Sequence, residues 1–228
     1  MFGKRINELD VSDIQRLIDE GVPESAEVEF KKTLPANKGE DPWLSGEGRA
    51  GDKARNEILE EVVAFANAHG GTVVLGIDES SEKPPRADAI IPLPKCVELA
   101  ERLRMQCRDC IEPQIPLLDA QGVPTAEDGS GVVVIHVPSS RLAPHRHIPS
   151  LHCYTRRADR SEKMTMREIQ DLTLQVERGL AAIEARFDET SSVFINQIPS
   201  YFQEAGVRVQ ATLIPMSPIR MERVYKNE

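Results

Sequence analysis

The chain has 228 residues, of which 40% are hydrophobic, 4% aromatic and 29% charged, with a formal net charge of -9. That length allows one sizeable domain plus an appendage with enough apolar content for a core, and the acidic balance excludes a protein that coats nucleic acid nonspecifically through dense Lys and Arg. No run approaches the roughly 20 apolar residues of a membrane span, no apolar signal region follows the opening residues, and the four cysteines fit a reducing compartment, so a cytoplasmic protein without a membrane partner is expected.

In chain order, Ser12 and Gln15 form a capping box ahead of Ile14, Leu17 and Ile18, and Gly21 closes a short lead-in helix as a left-handed cap. The next stretch alternates as a strand does. Val28 and Phe30 point one way, while Glu27, Glu29 and Lys31 point the other, with Glu24 just before them. From Leu34 to Lys53, two prolines and four glycines predict a long loop of the kind that often serves a nearby site. A helix follows from Ala54 to His69, with Ile58, Val62, Phe65 and Ala66 on one face and Glu57, Glu60 and Glu61 on another. Asn67-Ala68-His69-Gly70-Gly71 then turns sharply into an apolar strand, Thr72 to Ile77, which places Asp78 at its carboxyl end. Strand ends of that kind gather sites.

A second helix is expected from Cys96 to Cys110, stopped by Pro113 and Pro116. Ile115 to Leu118 and Val132 to Val137 read as an antiparallel pair around an open loop. A last strand spans Cys153 to Arg157, and Thr165 with Glu168 caps a helix continuing to about Phe187. The text changes from Asp188, where the alternating Val207 to Ile214 suggests the beginning of another unit, one that belongs to a longer protein or pairs with a second copy. The expected divisions are a lead-in helix over 1–22, the main domain over 23–170, and a helical linker with the start of a C-terminal unit over 171–228.

Two constellations carry possible chemistry. Glu24, Glu29 and Asp78 would form, if folding brings them together, a carboxylate cluster able to hold magnesium or manganese, orient a phosphate and activate water; otherwise they are strand-edge charges and a turn cap. The segment Arg141 to Arg167 concentrates seven Lys or Arg against Asp159 and Glu162, leaving a positive stripe on an acidic body. Within it Arg156, Arg157, Arg160 and Lys163 either hold a nucleic-acid backbone or pair with this protein's own acids. Cys107 and Cys110 stand three apart near a helix end, half of a possible zinc site that His145, His147, His152 or Cys153 would complete, or two small core residues. No GxxxxGK[ST] or GxGxxG supports conventional nucleotide binding.

The order of these motifs carries a family resemblance. Glu24 followed by Glu29-Phe30-Lys31, then Ala64-Phe65-Ala66-Asn67 with Gly70-Gly71, then Gly76 and Asp78, resembles the Schlafen-type Alba-like domain. The lead-in helix ending Gly21-Val22-Pro23 and the later Tyr154-Thr155-Arg156-Arg157 with Met164-Thr165 extend that resemblance over about residues 10 to 170. It implies an α/β fold of Alba-like type: a mixed sheet with packed helices, an N-terminal helix and a C-terminal helical and strand extension. It also implies nucleic-acid binding and, as in the Schlafen ribonucleases, a three-carboxylate divalent-metal site at Glu24, Glu29 and Asp78 and a structural zinc elsewhere; Lys31, beside Glu29, is a candidate to steady the phosphate. A metal-dependent ribonuclease acting on structured RNA such as transfer RNA is the leading expectation, RNA being favoured over DNA. A non-catalytic DNA- or RNA-binding regulatory module and an ATP-binding regulator are the alternatives. Because the ribonucleases embrace substrate with two lobes, a homodimer or a partner domain is expected.

Overall fold

The computed structural model describes residues 4–197, with side chains described through residue 188. The chain divides into two compact units, Met1–Gly179 and Leu180–Glu228; the predicted strand from Val207 to Ile214 lies outside the described residues. The first unit is a mixed α/β domain. A 3-10 turn at Ile6–Glu8 precedes α1, Val11–Asp19. Asp10, and not Ser12, caps that helix: its carboxylate accepts from the Ser12 and Asp13 amides, and Asp13 returns a bond to the Asp10 amide. The capping box therefore lies one step earlier than the sequence suggests, because two carboxylates beat a hydroxyl at the positive end of a helix. At the other end Val22 N bonds Leu17 O and Gly21 N bonds Ile18 O, with Gly21 at φ +55°, the left-handed cap expected there.

Four strands form the central sheet in the order β1-β2-β7-β6. β1 (Val28–Lys31) runs parallel to β2 (Gly70–Leu75), while β7 (Gly131–Pro138) is antiparallel to both β2 and β6 (Asp119–Pro124). Short ribbons complete the domain. β3 (Ile77–Glu79) pairs with β4 (Ala87–Ile90), β5 (Ile111–Glu112) with β8 (Arg146–His147), and β9 (Tyr154–Arg157) with β10 (Arg160–Lys163). Gly76, at φ +94°, separates β2 from β3, so what the sequence presents as one strand to Ile77 is two. The partner of β7 is Asp119–Pro124, and not the apolar run Ile115 to Leu118, of which Ile115 and Leu118 are partly buried against the core while Leu117 is exposed. Gly122 explains the choice, since a Cβ there would collide with the Cys96 and Val97 backbone, and only a glycine-bearing strand can pass so close to a helix.

Two helices, α2 (Asp52–Ala66) and α3 (Cys96–Cys110), cover one face of the sheet. Alternation within the strands sends Val73, Leu75, Val133 and Ile135 to Ile58, Val62, Phe65, Leu99 and Leu103, and sends Val74, Val132 and Val134 to Ile14, Leu17, Phe30 and Ile77 on the other side. Burial on both faces is what makes β2 and β7 nearly all apolar. The long loop after β1 has no helix or strand but is pinned down: Trp43 is buried and donates its indole N–H to Pro94 O at 2.8 Å, while the buried Asp41 accepts from the Trp43 and Gly51 amides. α4 (Met166–Gln197) opens on the expected Thr165 and Glu168 capping box and runs past Phe187.

Candidate functional site

β1 supplies the first components. With Val28 and Phe30 turned into the core, Glu29 and Lys31 share the opposite side, where α2 presents Glu61 and β9 presents Arg156. Arg156 is at the centre. Nη2 donates to Glu29 Oε2 at 2.9 Å and to Ser25 O at 3.2 Å, and Nη1 donates to Glu61 Oε2 at 2.7 Å and Ser161 Oγ at 3.3 Å. The guanidinium also stands 4.6 Å over the Phe65 ring, a cation–π contact inside the protein. Lys31 Nζ bonds Glu29 Oε1 at 2.9 Å and lies 3.7 Å from Glu61. Burial pulls the lysine's pKa down, but the two acids outweigh it and hold it raised. Glu61 is pushed up, first by burial and then by Glu29, against the opposing pull of Lys31, Ser161 and Arg156. Two acids and two cations thus form one half-closed network.

Glu24 lies beside this network. Its Oε1 accepts the Phe30 amide at 3.1 Å, and Glu79 is a neighbour of its carboxyl. Burial first, then Glu79 and the charge of Glu29, raises the Glu24 pKa to about 8, which favours a protonated Glu24 at neutral pH. Asp78 is turned to another partner, Lys32, at 2.7 Å, and that contact lowers its pKa. A shift in register between Asp78 and Glu79 marks the place where β3 changes its alternation. The acids gathered around Glu24 are therefore Glu29 and Glu79, with Glu61 reached through Glu29. Among the described residues, no three of His, Cys, Asp and Glu are gathered as a metal shell. Both Glu29 oxygens are taken by cations and Asp78 by Lys32, so the three carboxylates, as arranged, do not fit a divalent ion.

The basic residues divide by strand alternation. Tyr154 and Arg156 face α2, the phenol donating to Glu60 at 2.6 Å, whereas the paired Arg157 and Arg160 lie on the outer face of the β9–β10 hairpin and Lys163, opposite Tyr154 in register, is exposed at the hairpin's open end. Arg157 pairs with Glu162 and Glu168, Arg160 has a 79% exposed side chain whose ion-pair partner among the described residues is Asp159 at 3.8 Å, and Lys163 is exposed. Adjacent acids on α2, Glu60 and Glu61, thus each take one inward residue of β9. The sequence signal for Glu61 was weak, since it reads as part of a solvated helix face; the period-two placing of Tyr154 and Arg156 is what would have found its partner.

The segment after α2 is structural. Asn67 Nδ2 donates to His145 O at 2.8 Å and Tyr154 O at 2.9 Å, and its Oδ1 accepts the His145 amide at 2.7 Å, so one side chain fastens the approach to β8 and β9 against the helix end. Cys107 is buried in the core beside α2, its thiol pushed up to about 12 by burial, and Cys110 packs at the edge of the same cluster. His145 and His147 are buried with Nε2 unpartnered, their Nδ1 atoms bound to Pro113 O and Ser150 Oγ. Among the described residues, these side chains do not gather into a zinc shell.

Among curated proteins, none matches the chain. The DIP2311 protein from Corynebacterium diphtheriae is similar in structure at 20% identity and a TM-score of 0.43, over 68% of this chain and 29% of that one, so this chain spans less than a third of that protein. The N-terminal domain of a RecG-related protein from Nitrosomonas europaea is similar at 25% identity and a TM-score of 0.34, over 54% of this chain and 71% of that domain. The family model described as Schlafen, AlbA_2 matches residues 24–165, from the glutamate before β1 to the cap of α4. With that match covering most of the chain and running through Glu24, Glu29, Asn67, Arg156 and the hairpin, the chain belongs to the Schlafen AlbA_2 family.

Proposed function

We propose that this protein is a nucleic-acid-binding module that holds the phosphate backbone with the exposed cations of the β9–β10 hairpin, and that its acid and arginine network serves the fold. One observation carries this reading: the hairpin buries Arg156 among Glu29 and Glu61 while leaving Arg160 and Lys163 open to solvent. Exposed cations on a short ribbon suit backbone contact, which positions a protein without reading sequence. Tyr154, the aromatic residue interleaved with these charges, is buried against Glu60 and offers no stacking platform, so backbone and shape recognition of structured RNA is the mode that fits.

A metal-dependent nuclease is the second reading, favoured by the charge-dense surroundings of Glu24, whose proton a cation would displace. It requires Arg156 and Lys31 to release Glu29 and Lys32 to release Asp78. Incubation of labelled transfer RNA with the full chain, with and without manganese, separates the two. A retarded band with intact RNA supports the binding module. Manganese-dependent fragments that vanish in Glu29→Gln and Asp78→Asn would replace it with the nuclease, and the absence of any retardation would defeat both.

A further inference from the structure

We infer that the cavity between the opening 3-10 turn and the central sheet is a binding site for a nucleoside phosphate, separate from the β9–β10 hairpin. Strand register sets its floor. Thr72 of β2 stands opposite His136 of β7, and His136 stands opposite Asp119 of β6, so three polar side chains cross three neighbouring strands in one row. Alternation turns that row to the same face as Val74 and Val134, whose packing is otherwise apolar. The turn Ile6–Glu8 packs on β6. With Lys4 and Arg5 it closes over a cavity of about 560 Å³, within the roughly 300–1,000 Å³ of small-molecule sites.

Hydrogen-bonding capacity is unspent there. Thr72 is 7% exposed, yet among the described residues neither its hydroxyl nor the His136 ring has a hydrogen-bond partner, and both line the cavity. Buried polar groups are ordinarily satisfied, so these await something that enters. Asp119 gives Oδ1 to the Ala120 amide at 2.9 Å and lies 3.6 Å from Arg104, which leaves Oδ2 unpartnered among the described residues. Charge selects an anion. Lys4 is held by Asp13 at 3.0 Å and Asp10 at 3.5 Å, whereas Arg5 has no ion pair among the described residues and carries a guanidinium fork that suits a phosphate. Burial lowers the pKa of His136 while Asp119 opposes it, so at neutral pH the ring is uncharged and presents one donor and one acceptor nitrogen. Together with Thr72 and the second Asp119 oxygen, that is the mixed donor and acceptor set that ribose hydroxyls and a base edge require. Ile6, Leu9 and Val134 give the base an apolar wall. A bare phosphate would use Arg5 and leave the rest unmatched. The site does not depend on whether the hairpin binds nucleic acid.

Isothermal titration calorimetry of the full chain with AMP, GMP, CMP and UMP tests it, with inorganic phosphate alongside. At least one mononucleotide is expected to bind saturably and more tightly than inorganic phosphate. Arg5→Ala and His136→Ala are each expected to raise its dissociation constant about tenfold or more, while Arg160→Ala plus Lys163→Ala leaves it as in wild type. The exposed Arg5 keeps the test open should His136→Ala unfold. Competition by short RNA, in the Arg160→Ala plus Lys163→Ala background, identifies the source of the ligand. RNA that competes when it ends in a phosphate, and not when it ends in a hydroxyl, makes the ligand a strand end; no competition by either makes it a free nucleotide. Absence of binding by all four mononucleotides overturns the inference, as does binding that neither Arg5→Ala nor His136→Ala weakens.

Discussion

Arg156 Nη2 donates to Glu29 Oε2 across 2.9 Å, between β9 and β1, with only 1% of the arginine side chain exposed. The pair joins the hairpin to the sheet edge, and Glu61 on α2 shares the same guanidinium. Removing one member of a buried pair strands the other charge. Arg156→Ala is therefore expected to destabilise the domain by about 3–5 kcal/mol in urea unfolding, with Lys31 left to compensate for both acids. Arg156→Lys restores the charge but not the two-pronged geometry and recovers only part of the loss. Unaltered stability in Arg156→Ala would show that the network is not load-sharing.

Glu24 predicts a pH dependence of stability. Its pKa is raised from 4.5 to about 8 by burial and by Glu79. In the window between those values the unfolded chain gives up a proton that the folded chain retains, so this group's contribution is complete below about pH 4.5 and is lost as pH rises toward 8. Gln at position 24 cannot ionise and still accepts the Phe30 amide. The melting temperature of Glu24→Gln relative to wild type should climb across that window and level off above it; a flat difference from pH 4 to pH 9 would show that Glu24 does not hold the proton.

Gly71 lies against the Phe65 ring, and a Cβ placed there would also stand 2.8 Å from Glu27 O. Backbone on one side and an aromatic ring supporting Arg156 on the other leave no room to give. Gly71→Ala should cost about 1–3 kcal/mol by overpacking, measured by thermal melting. Its effect should not simply add to that of Arg156→Ala, because both act on Phe65.

The sequence made the sheet legible where burial is two-sided or alternating. Val28 and Phe30, the apolar β2 and β7, and the helix from Cys96 to Cys110 follow directly from hydrophobic period. β6 was missed because Asp119-Ala120-Gln121-Gly122 lacks apolar strength; it is a strand because β7 needs a partner beside α3 and Gly122 lets the two elements approach. At the candidate site, composition exposed the acids of β1 and the arginines of β9, yet their pairing is a long-range fact: 127 residues separate Glu29 from Arg156. A basic stripe in the sequence becomes one buried cation and several exposed ones only once β9 is laid on α2, since strand alternation then sends Tyr154 and Arg156 to Glu60 and Glu61. Glu79 was invisible for a similar reason, the irregular step after Asp78 being a property of β3 pairing with β4.

The most direct test is fluorescence anisotropy of a labelled structured RNA with the full chain over a series of salt concentrations, comparing wild type with Arg160→Ala plus Lys163→Ala. Loss of two phosphate contacts should weaken binding alike for unrelated sequences and lower the slope of log K against log salt by about 1.4–1.8, with the melting temperature preserved. Affinity and slope identical to wild type would contradict the assignment of the hairpin as the nucleic-acid contact.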